Sequence, residues 1–220
     1  LPAIPFLLKR TASQDGHGAE GLVRHDTARQ QWTRREMLRD KRFFMVAPLM
    51  MTMSAIFTGL IFHQKFIIGT AKGWDFLWWS ICFAGFAVCQ VAGSFIAGWL
   101  VDKVSARCIT PYVLLPFALS ITLLGLGTSE AWALVILSAM GLSAGATNPT
   151  FSSLWAEFYG TEHLGAIRAA GAVLSVFASA LGPVVVGWAL DVGVSVLTLT
   201  STSVAITLST SMLSAAAVRK

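Results

Sequence analysis

Charge is scarce in this chain. Only 12% of its 220 residues are Asp, Glu, Lys or Arg, about half of the ~25% usual in a soluble domain. With 55% apolar residues and a mean hydropathy of +0.68, that scarcity excludes a disordered chain and argues against a soluble enzyme. Cysteine is scarce too. Cys82, Cys89 and Cys108 cannot build a disulfide framework, and no CxxC pair occurs. Cys82 and Cys89 share a helix face, but no His or acid clusters with them, so neither a metal site nor a cofactor is expected. P-loop and HExxH motifs are missing. No Ser–His or paired-Asp arrangement within the apolar stretches supports an intramembrane hydrolase, so the chain does not read as an enzyme.

The charge that is present is unevenly placed. Net charge is +5, and nine of the 16 Lys and Arg lie between Lys9 and Arg42, ahead of the first long apolar run. This segment reads as a connector beside anionic lipid headgroups, not as a nucleic-acid-binding arm. Residues Leu1–Leu8 are apolar and precede Lys9-Arg10, the reverse of a signal peptide's order. They read as the tail of a truncated apolar segment, followed by a flexible linker carrying Gly16, Gly18 and Gly21. Thr33-Arg34-Arg35-Glu36 has the form of a capping box, predicting a short basic helix over Arg34–Arg42. Residues 1–42 thus form one unit, and residues 43–220 a bundle.

Beyond Arg42 the chain is mostly apolar. A helix needs about 20 such residues to cross the hydrocarbon, and six segments qualify: Phe43–Phe62, Phe76–Val101, Ile109–Gly127, Ala131–Trp155, Gly171–Leu190 and Val194–Val218. The sixth is dense in Ser and Thr, whose hydroxyls can bond back to helix carbonyls. The expected fold is therefore an all-α membrane protein of six spans. Basic residues set its orientation. Fourteen of them, including Lys103, Arg107, Arg168, Arg219 and Lys220, fall in the leading segment, the alternate loops and the tail; only Lys65 and Lys72 fall in the others. Both termini are expected in the cytoplasm, with the cell membrane as the location. Trp74, Trp78, Trp79 and Trp132 then lie at outer headgroup depth.

The end of span two matches the end of span five. Gly98-Trp99-Leu100-Val101-Asp102 and Gly187-Trp188-Ala189-Leu190-Asp191 share the form G-W-x-x-D, 89 residues apart. Each ends the middle helix of a three-helix group, one on each side of the membrane. Two inverted three-helix repeats would produce this placement, a recurrent transporter design.

Residues Gly98 to Arg107 also have the form G-x-L-x-D-K-x-x-x-R. Gly98 allows close helix approach, Lys103 and Arg107 hold the turn on the cytoplasmic side, and Asp102 can meet a helix N-terminus or pair with Arg107. This pattern resembles the signature loop of the major facilitator superfamily, which follows the second helix of each six-helix half. The family's usual glycine is absent, with Val104 and Ser105 in its place. The resemblance covers one half of a family member: the central cytoplasmic loop and the C-terminal six helices, with an N-terminal half missing. It implies that Asp102 is a cytoplasmic gate residue and Arg107 its partner. Gly182-Pro183 and Gly187 in span five likewise resemble the family's glycine–proline helices.

Polar residues within spans mark candidate function, because they are costly there. Asn148-Pro149-Thr150 in span four is the strongest group. Asn148 and Ser152 share a face at i, i+4, with Trp155 at i+7, and Gly141 and Gly145 form GxxxG on the same helix. In span two Gln90 and Ser94 share a face. Gln90, Asn148, Thr150 and Ser152 are the candidate path residues; Gly141, Gly145, Pro149, Gly182, Pro183 and Gly187 are the candidate kink and packing positions. The reading is a secondary transporter half that moves a small solute through the bilayer by alternating access. A six-span scaffold without transport, or an integral-membrane enzyme, stays open as the alternative.

Overall fold

The computed structural model describes residues 31–219. The apolar stub Leu1–Leu8, the glycine-bearing linker and Lys220 lie outside the described residues. Six helices are long and apolar enough to cross a membrane, and no strand occurs among the described residues. The crossings are built on α1 (Lys41–Phe62), α2 (Phe76–Val104), α3 (Leu115–Leu126, the last part of a crossing that runs over Ala106–Leu126), α4 (Ala133–Tyr159), α5 (Leu164–Asp191) and α6 (Val196–Val218).

Local chemistry sets their ends. The Thr33 capping box forms, with the Thr33 N–H and hydroxyl donating to Glu36 Oε2 at 2.7 and 2.8 Å, which holds the Glu36 carboxyl below its ordinary pKa. The helix it starts lasts one turn, Arg34–Met37, and stops short of the Arg42 boundary that the sequence predicts. Asp40 interrupts it and caps α1, accepting from the Arg42 N–H at 3.0 Å, so Lys41 and Arg42 belong to the first span. Asp75 and Ser195 cap α2 and α6 in the same way. The third crossing is broken into a turn at Ala106–Ile109, a 3-10 turn at Thr110–Tyr112, and α3. Pro111 and Pro116 each remove an N–H, and the chain takes shorter-range bonds around them.

Packing obeys the expected symmetry. The closest partners are α2 with α4 and α1 with α5; next come α3 with α4 and α1 with α6, while α3 packs on α6. Exchanging α1 with α4, α2 with α5 and α3 with α6 reproduces the same set of neighbours. The most crowded glycine of α2 and that of α5 keep the 89-residue offset of the sequence repeat. A Cβ added to Gly93 of α2 would strike the Leu142 carbonyl of α4, and one added to Gly182 of α5 would strike the Ala55 carbonyl of α1. Gly141 and Gly145 sit as tightly against the Phe86 and Gln90 carbonyls of α2. In lipid, helix association rests on such close backbone approach, because apolar surface gains little by leaving one oily medium for another. Gly98 is different: nothing lies within 4 Å of its would-be Cβ. The close approach expected there occurs five residues earlier, at Gly93. Gly187 packs on the His63 ring, 2.9 Å from its would-be Cβ.

One proline is tied into a crossing. Pro149 has no N–H to give the Gly145 carbonyl one turn back, and Ser94 Oγ of α2 donates to that carbonyl instead, at 3.0 Å. Of the two polar residues that share a face in span two, Ser94 makes this interhelical bond. Gln90 is exposed beside it.

The far end of the bundle, where α1 leads to α2 through a π-helical segment at Lys65–Ala71, is stitched to the end of α3. Lys72 Nζ donates to the Gly125 and Gly127 carbonyls at 3.2 and 2.7 Å and lies 5.0 Å over the Trp74 ring; burial there pushes its pKa down. Trp78 and Trp132 are exposed at this end, as a headgroup belt requires, but Trp74 and Trp79 are buried. They face inward because Trp74 packs under Lys72 and Trp79 Nε1 donates to Gln64 Oε1 at 2.9 Å.

These contacts predict a contrast between two glycines of one helix. Gly93→Leu forces α2 and α4 apart and lowers stability by about 1–3 kcal/mol or more, read as a lower unfolding midpoint in detergent. Gly98→Leu leaves the midpoint nearly unchanged.

Candidate functional site

A groove of about 610 Å³ opens between α1, α4 and α5. Asn148 and Ser152 line it from α4, with the Trp155 ring at one end, as their i, i+4, i+7 spacing implies. Ser54 lines it from α1 and Ser175 from α5. A second hollow of about 270 Å³ shares Met53, Ser54, Ser175 and Val176 with it and extends to Thr58 and Ser179. Each of the three helices therefore presents a polar pair at i, i+4 to one cleft: Ser54 and Thr58, Asn148 and Ser152, Ser175 and Ser179.

The hydroxyls of this cleft contrast with most of those in α6, where Ser211 is a buried exception without a partner among the described residues. In α6, Thr200, Thr202, Ser203, Thr207, Ser209, Thr210 and Ser214 all donate to carbonyls three or four residues back. That is how a hydroxyl is satisfied against lipid. Among the described residues, Ser54, Thr58, Ser152 and Ser175 make no such bond, and neither does the Asn148 amide; Ser179 is the exception, bonded to the Val176 carbonyl at 2.8 Å. Groups left unbonded in a cleft are available to water or to a solute.

The other two candidates lie elsewhere. Thr150 is fully buried, and its hydroxyl donates to the Ala146 carbonyl at 2.8 Å; a two-residue step from Asn148 turns it to the opposite side of α4. Gln90 sits at the α2–α4 crossing and does not line the groove. Arg168 does line it, and is the one charged residue among the lining groups. Sequence reasoning places Arg168 in a loop, because the apolar run starts at Gly171. The helix starts about two turns earlier, at Leu164.

At the end of α2 the turn is organised by an acid the motif does not contain. Glu157, in the last turn of α4, accepts from the Ala106 N–H at 2.7 Å, the Ser105 hydroxyl at 2.8 Å and the Arg107 N–H at 3.4 Å. Arg107 completes the clasp. Its Nε lies 3.6 Å from Glu157 Oε2, its Nη2 donates to the Glu157 carbonyl at 3.0 Å, and its guanidinium stacks 4.8 Å over Phe158. The carboxylate thus meets the N-terminal end of the Ala106–Ile109 turn, and the cation meets the C-terminal end of α4, both favourable to the helix dipoles. The partnership expected between Arg107 and Asp102 does not form. Asp102 makes no hydrogen bond or ion pair among the described residues, and Lys103 lies 5.7 Å over the Trp99 ring. In the sequence Glu157 is legible only as an acid at the end of a span; its partner depends on how α4 crosses α2.

The missing glycine also has a structural consequence. Ser105 takes φ +92°, ψ 142°, and is the only non-glycine residue with positive φ among those described. That conformation is nearly reserved to glycine and costs about 1–3 kcal/mol; the bonds of Ser105 to Glu157 and to the Arg107 N–H hold it there.

The clasp sets two contrasts in stability. Ser105→Ala keeps the strain and loses the hydroxyl, lowering stability by about 1–2 kcal/mol, whereas Ser105→Gly relieves the strain and stays near the parent midpoint. Glu157→Gln lowers the unfolding midpoint by the equivalent of about 1–3 kcal/mol, and Asp102→Asn leaves it in place; thermal unfolding in detergent reads both.

The family comparison agrees with this architecture. The model described as Major Facilitator Superfamily matches residues 2–183, from the leading segment through most of α5. No curated protein is significantly similar to the chain. A match over most of the sequence, in a chain with six helices long and apolar enough to cross a membrane among its described residues, shows the family of membrane transporters it comes from: the chain belongs to the Major Facilitator Superfamily.

Proposed function

We propose that this chain is the C-terminal half of a secondary transporter that moves a small solute by alternating access, and that the groove between α1, α4 and α5 is its share of the path. The observation that carries this reading is the convergence of three i, i+4 polar pairs on one cleft, with most of their groups unbonded. Asn148 and Ser152 would supply directional hydrogen bonds, and the hydroxyls of α1 and α5 a weakly polar wall. An open groove has one wall only, so the reading requires a second six-helix half facing it.

In this account both termini lie on the cytoplasmic side of the cell membrane, as the basic residues favour. The Glu157–Arg107–Ser105 clasp keeps the α2–α3 turn rigid as the bundle rocks. Asp102, with no partner in its own half, is then available as the gate contact to the facing half. Substrate access near the midplane between two rocking bundles is the general scheme for inverted-repeat transporters.

The test uses a cysteine-free background, with Cys82, Cys89 and Cys108 replaced, in sealed vesicles holding the complete transporter. Ser152→Cys is expected to react with a membrane-impermeant maleimide added to either side, and Thr150→Cys with neither. Asp102→Asn is expected to shift Ser152→Cys labelling at least several-fold towards one side. Labelling of Ser152→Cys from a single side, unchanged by Asp102→Asn, would instead fit a static scaffold.

A further inference from the structure

A second cavity lies well away from the groove, at the end of the bundle where the chain enters α1 and α6 finishes. It measures about 530 Å³. Its floor is apolar: Trp32, Met45 of α1 and Ala217 of α6. Arg39, Lys41 and Arg42 stand around it.

The two acids that also border it are already committed. Glu36 binds the Thr33 N–H and hydroxyl, and Asp40 caps α1 through the Arg42 N–H. The Arg39 and Lys41 side chains, by contrast, are exposed and make no hydrogen bond or ion pair among the described residues. The rim thus offers cationic donors, while its carboxylates are turned to helix caps.

The position adds a second constraint. Lys41 and Arg42 open the first membrane-crossing helix, so the rim lies at headgroup depth. Phe44 is 57% exposed one turn further into α1, and Leu213 is 39% exposed one turn before Ala217 in α6. An occupant with a phosphate at the rim could lay apolar chains over these side chains. A free phosphate would use the cations but waste the floor. We propose that this cavity is a binding site for an anionic phospholipid, its phosphodiester held by Arg39 and Lys41 and its acyl chains running along α1 and α6. The site is independent of the transport reading, because none of its residues lines the groove.

Native mass spectrometry of the full chain, released from micelles supplemented with lipid, tests it. The parent is expected to retain one tightly held phosphatidylglycerol, and to retain phosphatidylcholine at least several-fold less. Arg39→Gln/Lys41→Gln is expected to weaken phosphatidylglycerol retention on the order of tenfold or more, since each cation near an anionic surface contributes substantially. The charge-keeping Arg39→Lys/Lys41→Arg and the remote Lys65→Gln/Lys103→Gln are expected to retain it. Should the double Gln variant not fold, salt supplies the same test on the parent: about 0.5 M is expected to release the lipid. Equal retention of the two lipids, or retention indifferent to both the double Gln change and salt, overturns the proposal. Displacement of the lipid by millimolar inorganic phosphate would also overturn it, making the cavity a phosphate site instead.

Discussion

Backbone-to-backbone approach at two helix crossings is the constraint on which this molecule depends. At Gly93 against Leu142 and Gly182 against Ala55, a single added carbon would collide with a main-chain carbonyl. Such proximity matters more in lipid than in water, where burial of apolar surface could hold the helices together by itself. The crowded glycines of the two crossings are separated by the same 89-residue step as the paired G-W-x-x-D sequences, so the repeat is a repeat of packing as well as of residues. They bring α2 onto α4 and α5 onto α1, and the groove opens where α1, α4 and α5 diverge from that contact.

Polar groups in this bundle fall into three groups by how they are satisfied. Most hydroxyls of α6 return to their own helix, Ser211 being a buried exception, and this lets a Ser- and Thr-rich segment cross the hydrocarbon. Ser94 serves another helix, accommodating the carbonyl that Pro149 leaves without a donor. The hydroxyls of Ser54, Thr58, Ser152 and Ser175 do neither, and they share a cleft. The same division separates the turn residues: Glu157, Ser105 and Arg107 are bound to one another within the chain, and Asp102 is left facing outward. Rigid elements and available ones thus alternate along the same helices.

Much of this is legible in the sequence, and the limits are physical. Apolar runs of about 20 residues fix the number of spans, because the hydrocarbon thickness admits little else. The i, i+4, i+7 spacing of Asn148, Ser152 and Trp155 puts them on one face, and helix geometry keeps them there. Gly93 and Gly98 cannot be told apart by sequence, since both sit in the same helix and only the neighbour's position decides which is crowded. Gln90 and Ser94 pose the same difficulty. Proximity in one loop points Arg107 to Asp102, yet the carboxylate it meets is fifty residues distant, on α4. Hydropathy rises only after Arg168, which makes that residue look like loop, while the helix itself begins at Leu164. The inward turn of Trp74 and Trp79 depends on Lys72 and Gln64, partners that a belt argument does not consider.

If the cleft among α1, α4 and α5 is a watered path within a bundle otherwise sealed against lipid, water must reach Ser152 and not the lipid-facing side of α6. Deuterium modulation of a spin label reports this directly in lipid nanodiscs prepared in D2O. A label at Ser152 is predicted to show strong modulation from water, and one at Ser209, whose hydroxyl is turned back onto the exposed face of α6, to show almost none. Equal, weak modulation at both positions would contradict the account.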